Sequence, residues 1–100
     1  MEYKIQRIEG AIHIDMSGQF TFSDNQNFKQ ILELANGVHT KEIALNLGGV
    51  GFIDSAGMGM LLLLRDSCQS NKVALVITGI HGQVEKIFNI SKFDQLFTIR

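Results

Sequence analysis

The chain has 100 residues, a formal net charge of −1, and 45% hydrophobic against 19% charged residues. That length suits one domain and lets about 60–70% of the unfolded surface be buried, so a real core is possible. The mixture is globular, not disordered, and the near-neutral charge gives no strong pull on nucleic acid or an anionic membrane. The single cysteine, Cys68, excludes an internal disulfide framework and fits a reducing compartment. "MEYKIQRIEG" has no apolar core or cleavage site of a secretion signal. The longest apolar run, Met60 to Leu64, ends at Arg65, far short of the roughly 20 residues a membrane span needs. The expected setting is the cytoplasm. With no proline, repeat or linker, residues 1–100 read as a single domain.

"YKIQRI" and "AIHIDM" alternate apolar and polar residues around Glu9-Gly10. They predict a β-hairpin with Tyr3, Ile5, Ile12, Ile14 and Met16 on buried faces. "SDNQNFKQILELANG" has helical spacing, with Phe28, Ile31, Leu32 and Ala35 on one face. Ser23 and Gln26 have the spacing of a capping box, and Gly37 is the expected stop. "EIALNL" reads as the next strand, and Ser55 to about Gln69 as the second helix. "KVALVIT" is apolar nearly throughout, as for a central strand covered on both faces. "HGQVEKIFNI" predicts a short third helix with Val84, Ile87 and Phe88 inward, and "LFTIR" a closing edge strand. The order is ββαβαβαβ. The fold class is α/β: a mixed, mostly parallel sheet with helices packed on it, the first strand antiparallel.

The most informative stretch is "GVGFIDSAGMGMLLLLRD", where Asp54-Ser55 stands between a strand and the second helix. Ligands and partners of open parallel sheets meet the carboxyl ends of strands. Helix starts carry free N–H groups and partial positive charge, and both Asp and Ser are good caps. Gly57, Leu61, Leu64 and Cys68 form the helix's core face. Ser55, Met58, Leu62, Arg65 and Gln69 form another, so Met58 and Leu62 are either extra core beneath flanking helices or, the favoured reading, an apolar patch for a partner beside the hydroxyl. A nucleophilic serine needs an oriented base, and His13, His39 and His81 show no triad pattern. "IDSAG" is not the G-x-S-x-G elbow either. A phosphate needs less, because the helix start can hold it, and it adds about −1.5 to −2 charges.

Other constellations are weaker. Gly48, Gly49, Gly51, Gly57 and Gly59 match neither G-x-G-x-x-G nor the P-loop pattern, so tight turns and close packing explain them best. A nucleotide or small ligand at this glycine-rich loop is the alternative function. The histidines and Cys68 lack metal spacing, and no cofactor is expected. His13 and His39 read as surface or strand residues, His81 as the start of the third helix, and Cys68 as core. A phospho-accepting receiver is disfavoured, because Asp15 stands alone where an acidic pair is needed.

On this strand order, "FIDSAGMG" resembles the signature of STAS domains, the fold of bacterial anti-sigma factor antagonists. Phe52 to Gly59 match it position by position, "MSGQFTF" is similar to the family's second strand and following loop and "KIFNISKFDQLFTI" to its third helix and last strand, and the likeness spans the chain. The resemblance implies a non-enzymatic signalling module. It binds an anti-sigma factor or serine protein kinase, loses affinity when Ser55 is phosphorylated, and is reset by a PP2C-type phosphatase. It places Asp54, Ser55, Ala56 and Gly57 at the partner surface with Met58 and Leu62. Thr21 lies there too, where the family commonly keeps an aspartate. Many members also add a fourth helix after the last strand.

Overall fold

The computed structural model describes residues 1–37 and 40–100; the reading of His39 lies outside them. The element order is β1 (Glu2–Ile8), β2 (Ala11–Phe20), α1 (Asn25–Leu34), β3 (Glu42–Ile53), α2 (Ser55–Ser70), β4 (Ala74–Thr78), α3 (Gly82–Ile90) and β5 (Thr98–Ile99). Short 3₁₀ turns precede α1 and β5. The strands lie in sequence order, β1 antiparallel to β2 and the other pairs parallel. The expected ββαβαβαβ arrangement is therefore present.

Each parallel crossover advances one strand in the same direction. With a single right-handed sense, all three helices then fall on the same side of the sheet. The inward rows follow from this: Ile12, Ile14 and Met16 on β2, Ile43, Leu45 and Leu47 on β3, and Ile77 on β4. They meet Phe28 and Ile31 of α1, Leu61, Leu64 and Cys68 of α2, and Val84 and Phe88 of α3 in one cluster. The other sheet face is open, with His13, Asp15 and Asn46 exposed.

Three expectations need correction. "KVALVIT" is not covered on both faces. Leu75 and Ile77 face the helices, while Val76 lies on the open side, sheltered between Ala44 and Thr98 in register. Ile5 is 37% exposed, because β1 is the sheet edge and only Tyr3 is tied to the helical layer, through its hydroxyl to Gln30 Oε1. Ile87 does face inward as expected, half-buried against the core. The reciprocal cap before α1 belongs to Thr21 and Asp24 rather than Ser23 and Gln26: the Thr21 N–H donates to Asp24 Oδ2 at 2.9 Å.

Cys68 is 1% exposed, and burial pushes its thiol up to about 11. The thiolate is therefore suppressed throughout the neutral range. Iodoacetamide at pH 8 is expected to leave the folded protein unmodified and to alkylate it fully in urea. Rapid labelling of the native protein, read by mass, would contradict this packing.

Candidate functional site

The site is built where β3 ends and α2 begins. β3 pairs with β4 only as far as Asn46 and Thr78, then continues along β2 to the pair Phe20–Ile53. Gly48, Gly49 and Gly51 are thus strand residues and not a loop. The turn reading of these glycines is corrected. The nucleotide-loop alternative loses the exposed loop it needs. Gly49 has a specific task. Where the β2–β3 register shifts, a Cβ there would stand 2.8 Å from Met16 O.

Asp54 is the N-cap of α2. Its Oδ1 accepts the Gly57 N–H at 2.8 Å and its Oδ2 accepts the Phe22 N–H at 3.2 Å. One carboxylate therefore satisfies a free amide of the helix and fastens the β2–α1 loop to it. Its own N–H donates to Phe20 O at 3.3 Å. Gly57 is buried against this junction, where a Cβ would lie 2.6 Å from Phe20 O and 2.8 Å from Ile53 Cγ1. Only glycine lets the first turn of α2 rest on the ends of β2 and β3.

Because Asp54 takes the cap, Ser55 is the first helical residue, with its side chain exposed. Among the described residues its hydroxyl has no hydrogen-bond partner. Among the described residues no imidazole is engaged with it: His13 stands on the open sheet face, and His81 Nε2 lies 2.9 Å from Gly48 O at the cap of α3. Ala56, Met58 and Leu62 are half-buried against the core rather than fully exposed, and Gly57 is buried. Gly59 has open space above it.

Thr21 is half-buried, its Oγ1 2.9 Å from Ser23 Oγ. Asp24, three residues on, is buried and 2.5 Å from the Met1 ammonium. Burial alone raises its pKa. Hydrogen bonding to that ammonium and the Thr21 N–H outweigh this and hold the carboxyl below its usual range.

Two residues escape the sequence reading. Phe22 is 70% exposed beside Asp54, outside any helical or strand period that would single it out. Gln83 of α3 reaches Ile53, accepting its N–H at 3.0 Å and donating to its C=O at 3.1 Å. No local pattern signals a contact between residues so far apart in sequence.

The sequence model of the STAS domain matches residues 2–100, and the chain belongs to that family. It is 33% identical over 86 residues to a STAS-domain containing protein of Pseudomonas aeruginosa, spanning 86% of this chain and 84% of the relative. The fold is similar to that of the anti-sigma factor antagonist SpoIIAA in its unphosphorylated form, with TM-score 0.82 and 16% identity over 99% of this chain and 88% of that one. The phosphorylated form of Bacillus SpoIIAA is similar as well, with TM-score 0.76 and 15% identity over 99% of this chain and 91% of that one.

Losing the cap in Asp54→Ala is expected to cost about 1 kcal/mol and lower Tm by about 4–8 °C, with Asp54→Asn falling in between, because its one amide oxygen can accept the Gly57 N–H but its NH2 cannot accept the Phe22 N–H. Gly57→Ala is expected to cost about 1–3 kcal/mol through the clash with Phe20 O. Thermal unfolding followed by circular dichroism decides both. A Gly57→Ala protein as stable as wild type would mean that α2 can lift off the strand ends.

Proposed function

We propose that this chain is an anti-sigma factor antagonist, a binding module switched by phosphorylation of Ser55. The observation that carries this reading is the division of labour between neighbours. Asp54 does the capping, so Ser55 Oγ is left exposed and uncommitted at a helix start. An exposed hydroxyl without an oriented base is a poor nucleophile and an accessible phosphate acceptor. The dipole of α2 favours the added negative charge, so the fold tolerates what the outer surface registers. That SpoIIAA has been solved in both forms supports the compatibility of such a fold with a phosphorylated state.

In this reading the partner is an anti-sigma factor or serine protein kinase. It contacts Ser55, Asp54 and Ala56, with Met58 and Leu62 giving apolar contact and Thr21 lining the adjacent loop; Gly57, expected at that surface, is buried beneath it and shapes the turn instead. Phosphate on Ser55 next to Asp54 repels that partner, and a PP2C-type phosphatase restores binding. The module performs no chemistry of its own and acts in the cytoplasm. Among the described residues no helix is long and apolar enough to cross a membrane.

The test is a pull-down from the cell of origin with three baits. Wild type and Ser55→Ala should retain the partner, and Ser55→Asp should lose most of it. Intact-mass and fragment analysis should find one phosphate, on Ser55. Ser55→Asp should unfold within about 4 °C of wild type, since an acid in the first turn is stabilising by about 0.3–1 kcal/mol. Equal capture by Ser55→Asp would defeat the switch, and a large loss of Tm would make Ser55 a structural residue.

A further inference from the structure

Beyond Asn46, β3 has no strand on its β4 side, yet its end must be held still to present Asp54 and Ser55. The first turn of α3 supplies the missing edge. His81 Nε2 meets Gly48 O at 2.9 Å. The Gln83 carboxamide closes a two-bond ring on Ile53, at 3.0 and 3.1 Å, as a neighbouring strand would. Both Ile53 groups are partly withdrawn from water, so losing Gln83 leaves a donor and an acceptor without protein partners. On the opposite edge β2 pairs Phe20 with Ile53. Ile53 is thereby clamped on both edges, one residue before the cap and two before Ser55.

We infer that Gln83 is a positioning residue for Ser55. It replaces strand β4 at the end of β3 and fixes the Ile53–Asp54 backbone from which Ser55 is offered to its modifying enzyme. The inference rests on the reading of Ser55 as the phosphorylated residue. It adds that α3, whose outward side carries Glu85, Lys86 and the 79%-exposed Ile90, is mechanically joined to that serine. Only the carboxamide fits the task. It alone among uncharged side chains of this length offers one acceptor and one donor side by side.

The experiment compares Gln83→Ala with Ile87→Ala, a substitution one turn further along α3 that weakens packing against the core but keeps both Gln83 hydrogen bonds to Ile53. In ¹⁵N-labelled protein, Gln83→Ala should speed exchange of the Ile53 amide about tenfold and shift the Asp54, Ser55 and Gly57 resonances, while Ile14 and Leu45 stay protected. In the cell of origin the phosphorylated fraction of Ser55, measured by fragment mass analysis, should fall severalfold. Ile87→Ala should leave both readouts at wild-type values even if Tm drops. Gln83→Glu keeps side-chain length and the acceptor for the Ile53 N–H but loses the donor, and serves the same measurements if the alanine variant folds poorly. Unchanged Ile53 exchange and Ser55 phosphate in Gln83→Ala would overturn the inference. So would an equal loss of phosphate in Ile87→Ala, which would reduce Gln83 to ordinary support of α3. Wild-type protein without phosphate on Ser55 under any condition would instead overturn the phosphorylation reading itself. The exchange data would still report the clamp.

Discussion

The Asp54 carboxylate is the joint on which the rest of the site depends. Its two oxygens are spent on two backbone amides from different elements, Gly57 in α2 and Phe22 in the loop before α1. Both would otherwise be free donors at helix starts, groups that folded proteins rarely leave without partners. One side chain thus sets the direction in which α2 leaves β3 and the height of the loop beside it. A carboxylate doing this work is acceptor-only, and a serine hydroxyl has no second oxygen with which to do the same. The order Asp then Ser therefore has a physical sense: the residue that can bridge sits at the cap, and the one beside it is left exposed.

Behind that joint lies a constraint of topology. All parallel crossovers advance in one direction, so the helices share a face and the sheet keeps a polar side. A sheet covered on one face has its core on that face alone, and α2 must seat against the strand ends to complete it. Gly57 makes the seating possible, with Phe20 O and Ile53 closer than any Cβ allows. Leu61, Leu64 and Cys68 continue the same stripe along the helix and anchor it. Arg65 adds a tie at the far side, its Nε donating to Leu96 O at 2.8 Å. The start of α2 is thus held by its cap below and by core packing along its length. Ser55 sits where neither reaches.

Much of this was legible in the sequence, and the reasons for the remainder are physical. The order of elements, the start of α2 and its buried stripe follow from periods of 2 and 3.6 residues, which report burial directly. The hairpin's outer strand is less buried than its alternation implies, since Ile5 lies at the sheet edge with little above it. "GGVG" reads as a loop because glycine weakens strands, yet here β3 runs through it, with a register shift that brings β2 backbone against Gly49. One-sided coverage depends on strand order, which a string of apolar residues such as "KVALVIT" does not encode. Asp24 was hidden because its partners are a backbone amide and the Met1 ammonium. Asp54-Ser55 stood out in sequence, but which of the two would cap depended on the loop that brings Phe22 within reach.

The same geometry bears on the charge that a phosphate would add. At the first position of α2 it would meet the positive end of a helix of sixteen residues, but also the Asp54 carboxylate next to it. Asp54 is partly compensated, because two N–H groups already point into it, so the repulsion inside the protein is blunted. An approaching partner has no such compensation. It would face a doubly charged group on open surface, beside an exposed aromatic at Phe22 and half-buried Met58 and Leu62. Desolvating a phosphate against an apolar or acidic surface is costly, whereas leaving it in water is not. An asymmetry between a tolerant interior and an intolerant interface is what the proposed switch requires, and the two amides on the inner side of Asp54 would supply it.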